Sequence, residues 1–273
     1  MSKRIVVIPD VQAKPGHDFS YLMRIGQYIV DKKPDRVVCL GDFADMPSLS
    51  SYDKGKKSFE GRRYKRDISA SHEAMSALLT PLVDFNEKSK RNKEKLYRPE
   101  MDLILGNHED RINRAVNDDP KLDGVLSVDD LQYKDFGWKV HPFLEVVVIE
   151  GIAFSHYFTT GLMGRPVTTA QACLTKKHMS CIQGHQQGLQ IATGYRGDGQ
   201  PLTSVIAGSC YLHDEDYMSS QGNKHWRGFL VLNDVKDGVF DLMPVSLGYI
   251  NKRYPHIHVA PDYSKEHYPE GMR

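Results

Sequence analysis

The sequence predicts an α/β sandwich in which two β-sheets pack on each other. Two observations predict it. Up to about residue 105, short apolar runs alternate with amphipathic stretches, the pattern of a largely parallel or mixed sheet with helices on its faces. From Leu144 onward, short β-branched and aromatic runs follow one another, which supplies the second sheet.

The elements follow in chain order. Ile5-Val6-Val7-Ile8 is a β-branched run that stops at Pro9-Asp10, as a fully buried strand does. Residues 18–32 place Tyr21, Leu22, Ile25, Tyr28 and Ile29 on one helical face before Pro34 interrupts. Arg36 to Leu40 is a second strand, ending at Gly41-Asp42; residues 69–88 form another helix; Met101 to Leu105 is a third strand, ending at Gly106-Asn107-His108. The β-rich part comprises Val146–Ile149, Ile152–Ser155, Leu189–Thr193, Ser204–Ala207, Phe229–Leu232 and Val239–Met243, with Asp198-Gly199 as a hairpin turn. No stretch resembles a linker, so residues 1–273 form one domain. The stretch 43–100 is too long for a plain connection. It holds the basic runs KGKK (54–57) and RRYKR (62–66), which form either a cap beside the site or a solvated surface.

Composition narrows the function classes. Net charge is +1, so no global basic field argues for nucleic acid. Cys39, Cys173, Cys181 and Cys210 are scattered and are expected as reduced thiols of a cytoplasmic protein. No apolar run approaches the ~20 residues of a membrane span, and the start is too short and polar for a signal peptide. No protein partner can be inferred.

The chemistry gathers at strand ends. Asp10-Val11-Gln12, Gly41-Asp42 and Gly106-Asn107-His108-Glu109 each follow a strand, and ligands of open α/β sheets collect at the carboxyl ends of strands. Glycine before Asp42 and before Asn107 lets the backbone turn sharply. His156 (FSHYF) and His185 (QGHQQG) follow strand-like runs downstream. A lone histidine after a strand is more often structural than a ligand, so the signal is the ordered set. His256 and His258 in the tail, and the run His213 to Asp216, are expected to be solvated; Trp226 and Arg227 either line the pocket or open a strand.

The order D-x-[HQ], G-D, G-N-H-E, H, G-H-x-[HQ] resembles the calcineurin-like metallophosphoesterase superfamily over residues 3 to 245. The resemblance implies a four-layered α/β sandwich, two mixed β-sheets flanked by helices, with a dinuclear metal site at one edge. It implies that Asp42 bridges the ions, that Asp10, Gln12 and Gln187 hold the first, and that Asn107, His156 and His185 hold the second. His108 is then the general acid rather than a ligand. Asp45 or Glu109 orients it or a ligand; alternatively, Glu109 lends negative charge to a helix beginning there.

In the commoner motifs positions 12 and 187 are histidine. Glutamine offers a neutral carbonyl oxygen, which suits Mn²⁺ or Mg²⁺ better than a nitrogen-preferring ion. The expected cofactor is therefore a pair of divalent ions, Mn²⁺ foremost, with Mg²⁺, Fe²⁺, Zn²⁺, Ni²⁺ and Co²⁺ open. The expected activity is hydrolysis of a phosphate ester, monoester or diester, by metal-bound hydroxide. Two alternatives stand: a nuclease acting on DNA or RNA, since Tyr52, Phe59 and Tyr64 interleave the basic runs, and a binding scaffold without catalysis.

Overall fold

The run KRIVVI forms β1 (Lys3–Ile8), and its last four residues are buried on both faces, as expected of a central strand. The computed structural model describes residues 2–215, 218 and 221–257. α1 (Ser20–Lys32) buries Tyr21, Leu22, Ile25, Tyr28 and Ile29. It ends where Lys33 turns into the left-handed region (φ 45°) and its N–H caps Ile29 ahead of Pro34. β2 (Arg36–Cys39) follows, then α2 (Tyr64–Arg91), β3 (Glu100–Ile104), α3 (Arg111–Asp118) and β4 (Lys139–His141). The second half contributes β5 (Val147–Ile149), β6 (Ile152–Ser155), the short pair β7 (Thr159–Thr160) and β8 (Arg165–Pro166), α4 (Ala170–Lys177) and β9 (Cys181–Gln183). It closes with β10 (Leu189–Tyr195), β11 (Pro201–Ala207), β12 (Gly228–Lys236), β13 (Val239–Ser246) and α5 (Leu247–Arg253).

Six strands pair in the order β13-β12-β1-β2-β3-β4, and five in the order β10-β11-β9-β6-β5. β1 to β4 run parallel while β12 and β13 run antiparallel, so the first sheet is mixed. The second is mixed too, because β6, β9 and β11 are parallel and β5 and β10 are antiparallel edges.

Alternation along the strands divides the core. Val6, Ile8, Val37, Cys39 and Leu103 face α1 and α2, whereas Ile5, Val7, Val38, Leu40 and Ile104 face Ile152, Phe154, Ile182 and Val205 of the other sheet. Beyond the second sheet, α4 sets Leu174 on Ala192 and Ile206. The order is helices, sheet, sheet, helix: a four-layered α/β sandwich.

The stretch 43–100 divides in two. Residues 64–91 are α2, which buries Ala70, Ala74, Met75 and Leu78 in the helical layer and extends the helix expected over 69–88. Residues 47–63 carry 3₁₀ turns at Pro47–Leu49, Ser51–Asp53 and Lys57–Phe59; Leu49 still packs on the helical layer, and residues 51–63 are mostly exposed. All four cysteines are buried and free. Among the described residues no helix is long and apolar enough to cross a membrane.

Candidate metal centre

Five strand ends meet at one edge of the sandwich. β1, β2 and β3 are neighbours in one sheet, β6 and β9 in the other. Their carboxyl ends deliver Asp10 and Gln12, Asp42, Asn107 and His108, His156, and His185 and Gln187. The backbone bends hard to do so: Gln12 (φ 47°), Asp42 (φ 48°), His185 (φ 69°) and Gln187 (φ 59°) all occupy the left-handed region. Non-glycine residues held there cost roughly 1–3 kcal/mol each and cluster at functional sites. Two glycines leave room for the carboxylates. A Cβ on Gly106 would lie 2.1 Å from Asp42 Oδ1, and one on Gly184 would lie 2.4 Å from Asp10 Oδ1.

His156 reveals what the arrangement suits. Its Nδ1–H donates to the Leu40 carbonyl (2.8 Å), so in the neutral ring Nε2 carries a lone pair. That lone pair faces Asn107 Oδ1 at 2.9 Å and Asp42 Oδ2 at 3.4 Å. Burial holds the His156 ring below the ordinary histidine range, and burial with the neighbouring His156 lowers His185 to about 4. Both imidazoles are therefore neutral near pH 7, the state a metal requires. One ligand atom each from Asp42, His156 and His185 lies within 4.8 Å of the others. The buried carboxylates add to the demand for a cation. Burial and then the Asp42 charge push Asp10 well above its usual range, whereas Asp42 is lowered by His108 and His156 against its own burial.

Gln12 is wholly buried, and neither its Oε1 nor its Nε2 has a hydrogen-bond partner. A buried amide left so costs on the order of 1–3 kcal/mol. A cation on Oε1 would satisfy the oxygen. Gln187 differs, because Tyr211 Oη donates to its Oε1 (2.7 Å), which fixes the amide. The donor set thus fits hard or borderline divalent ions with mixed oxygen and nitrogen ligands.

His108 stands at the edge of this group. Its backbone N–H donates to Asp42 Oδ1 (2.8 Å), and its Nδ1 lies 2.7 Å from Asp45 Oδ1. Burial works against its protonation, but the Asp42 charge and the Asp45 hydrogen bond outweigh it and raise the ring. Asp45, buried as well, is held at about 2 by that bond and the charge of His108.

Glu109 acts on the backbone that carries the candidate ligand Asp42. Its Oε2 accepts from the Asp42 N–H (2.9 Å) and the Gly106 N–H (2.8 Å), and its Oε1 from the Ala44 N–H (2.9 Å) and Tyr133 Oη (3.3 Å). The helix begins only at Arg111, and Glu109 instead clamps the β2 and β3 loops together. Glu109→Gln would turn amide hydrogens toward these donors. We expect it to lower stability by ~1–3 kcal/mol, the cost of a buried donor left unsatisfied, measured by urea denaturation. An unchanged midpoint would refute the clamp.

The site opens into a cavity of about 1180 Å³ bordered by Asp42, Asn107, His108 and His185 on one side and residues 47–67 on another. Arg111 and Lys14 also border it, and neither was singled out in the sequence. Arg111 Nη1 donates to the Asp45 carbonyl (2.8 Å), and its Nη2 lies 3.0 Å from His108 Nε2. Its spacing of three from His108 at a helix start was the available cue. Lys14 pairs with Glu215 (2.9 Å), which also receives His213 (2.6 Å), while Tyr211 stacks on His213. Glu215 is therefore buried rather than solvated, its carboxylate paired with Lys14 and hydrogen-bonded by His213. Asp216 and His258 lie outside the described residues. Trp226 packs against Gly208 and Gly228 beneath β12, away from the cavity, and Arg227 binds Asp214 and the Leu212 carbonyl.

No family model matches the chain. A solved structure of GAP50, the anchor in the inner membrane complex of Plasmodium, aligns with 90% of this chain and 85% of its own at 10% identity, with a TM-score of only 0.32. The Gene 54 protein of Mycobacterium phage L5 is 30% identical over 218 residues, spanning 77% of this chain and 80% of its own. That of Mycobacterium phage D29 is 30% identical over 223 residues with the same coverage. The chain belongs to the family of these mycobacteriophage Gene 54 proteins.

Proposed function

We propose that the chain is a metal-dependent phosphoesterase of the calcineurin-like type. The observation that carries this reading is the convergence on one point of Asp42 Oδ2, the Asn107 Oδ1 and the free lone pair of His156. An unsatisfied Gln12 amide and a histidine–carboxylate pair stand beside them.

Asp42, with Asp10, Gln12 and Gln187 on one side and Asn107, His156 and His185 on the other, would hold two divalent ions, which polarise the ester and lower the pKa of a bound water. The residues around them have defined tasks. Asp45 fixes the His108 ring through Nδ1, so Nε2 points along the direction of Arg111 and Asp42. With the Arg111 guanidinium on a phosphoryl oxygen, Nε2 would take up a proton from solvent, and the resulting imidazolium would give it to the departing alkoxide. Glu109 keeps the two loops from spreading as charge shifts.

The test starts from chelator-stripped protein titrated with Mn²⁺ in a calorimeter. One tight and one weaker site are expected, the weaker set by the neutral amides of Gln12 and Gln187. Hydrolysis of bis(p-nitrophenyl) phosphate should then rise with Mn²⁺ and vanish on chelation. Mn²⁺ binding without turnover would favour the scaffold, and no binding would sink the metal centre.

A further inference from the structure

Most cations around the cavity are already neutralised. Lys14 pairs with Glu215, Lys56 and Arg62 share Asp53, and Arg111 is held by Asp45 and its carbonyl. Arg62 also donates to the Pro47 and Ser58 carbonyls, so it shapes the loop and does not meet a ligand. Arg63 and Arg66 differ. Both are exposed, both border the cavity, and among the described residues neither has a carboxylate partner; Arg63 only touches the Arg62 carbonyl. Set three residues apart where α2 begins, they can face the same way. Tyr52, 82% exposed, borders the same cavity. The cavity, at about 1180 Å³, exceeds the ~300–1000 Å³ of sites for a single small ligand.

Two free guanidiniums ask for phosphates, and an exposed ring beside them asks for a stacking partner. A phosphomonoester supplies neither a second phosphate nor a long enough body. We infer that Tyr52, Arg63 and Arg66 form a wall that binds single-stranded nucleic acid, with backbone phosphates on the two arginines and a base on Tyr52. The placement of the scissile phosphate at the Asn107–His108 corner rests on the phosphoesterase reading; the binding of the strand does not.

The experiment therefore measures binding without metal. A fluorescein-labelled eight-nucleotide oligothymidylate is titrated with the chelator-treated full chain, and anisotropy is read between 50 and 200 mM salt. Each phosphate contact to a single strand adds ~0.7 to the slope of log Kobs against log salt, so Arg63→Gln with Arg66→Gln should flatten it by about 1.4. Arg63→Lys with Arg66→Lys keeps the charge and should keep the slope. Tyr52→Ala should weaken binding about fivefold or more, and should have no effect on an abasic oligomer of the same length. Lys57→Gln changes a cation outside the cavity and should bind as the unaltered chain does. A slope unmoved by the arginine changes, or displacement by tripolyphosphate as effective as by the oligomer, would overturn the inference. The Mn²⁺ titration and nitrophenyl ester assay decide the phosphoesterase reading separately.

Discussion

Asp42→Asn is expected to reduce Mn²⁺-dependent turnover by ~10³ or more while leaving the fold in place. Several kcal/mol of transition-state stabilisation are attributed to metal ions acting on a phosphoryl group, and a neutral amide with one oxygen cannot hold two cations as a carboxylate does. The fold should survive for a local reason. Asp42 sits at φ 48°, and asparagine is among the few residues that accept the left-handed region readily. Its amide oxygen can still accept from the His108 N–H that now reaches Oδ1. Turnover of the nitrophenyl diester and the thermal midpoint of the metal-free variant should be measured together. A rate near that of the unaltered chain, at saturating Mn²⁺, would remove Asp42 from the bridging role.

His108→Ala should cost ~10²–10⁴ in turnover, the usual contribution of a positioned acid or base, and should leave bound Mn²⁺ nearly unchanged. The ring is held by Asp45 at 2.7 Å and stands outside the group formed by Asp42, His156 and His185, so its loss is expected to remove no direct contact to an ion. The deficit should shrink for esters with good leaving groups, which need little help from a proton donor. Metal loss equal to that of His156→Ala would make His108 a ligand.

Much of this architecture was legible because several strands are short apolar runs, two of them stopped by Pro9 and Gly41. Ile5–Ile8, Arg36–Leu40 and Ile152–Ser155 all coincide with strands to within two residues at either end. The stretch between Tyr157 and Gly188 was not. β9 has three residues, β7 and β8 two each, and α4 only eight, too few turns for apolar periodicity to rise above chance. β4, again three residues, escaped for the same reason. The site residues were legible as an ordered series of polar strand ends, since the topology brings such ends together whatever the sequence between them. Their supports were not. Lys14 and Glu215 are 201 residues apart, and Tyr133 reaches Glu109 from a loop with no regular pattern, so no local spacing encodes either contact. The acidic run at 213–215 illustrates the hazard: charge density suggested solvent, but Lys14 pairs with Glu215 and His213 hydrogen-bonds it inside the protein.

The placement of the site on the seam between the sheets has a consequence for how the protein opens. His156 leaves β6 of one sheet and anchors its ring on the Leu40 carbonyl, just past β2 of the other. The His185 amide, past β9, donates to Asp10 (3.0 Å), and the Cys210 amide donates to the Asp10 carbonyl (2.7 Å). These bonds stitch the layers along one border, so the sheets cannot part there without first dismantling the cluster. Amide protons of β6 and β9 should consequently exchange with those of β1 and β2 as one cooperative unit, instead of as two layers that breathe independently. An ion held at this border would slow all four strands at once, and its departure would be felt as far away as the inner face of β9.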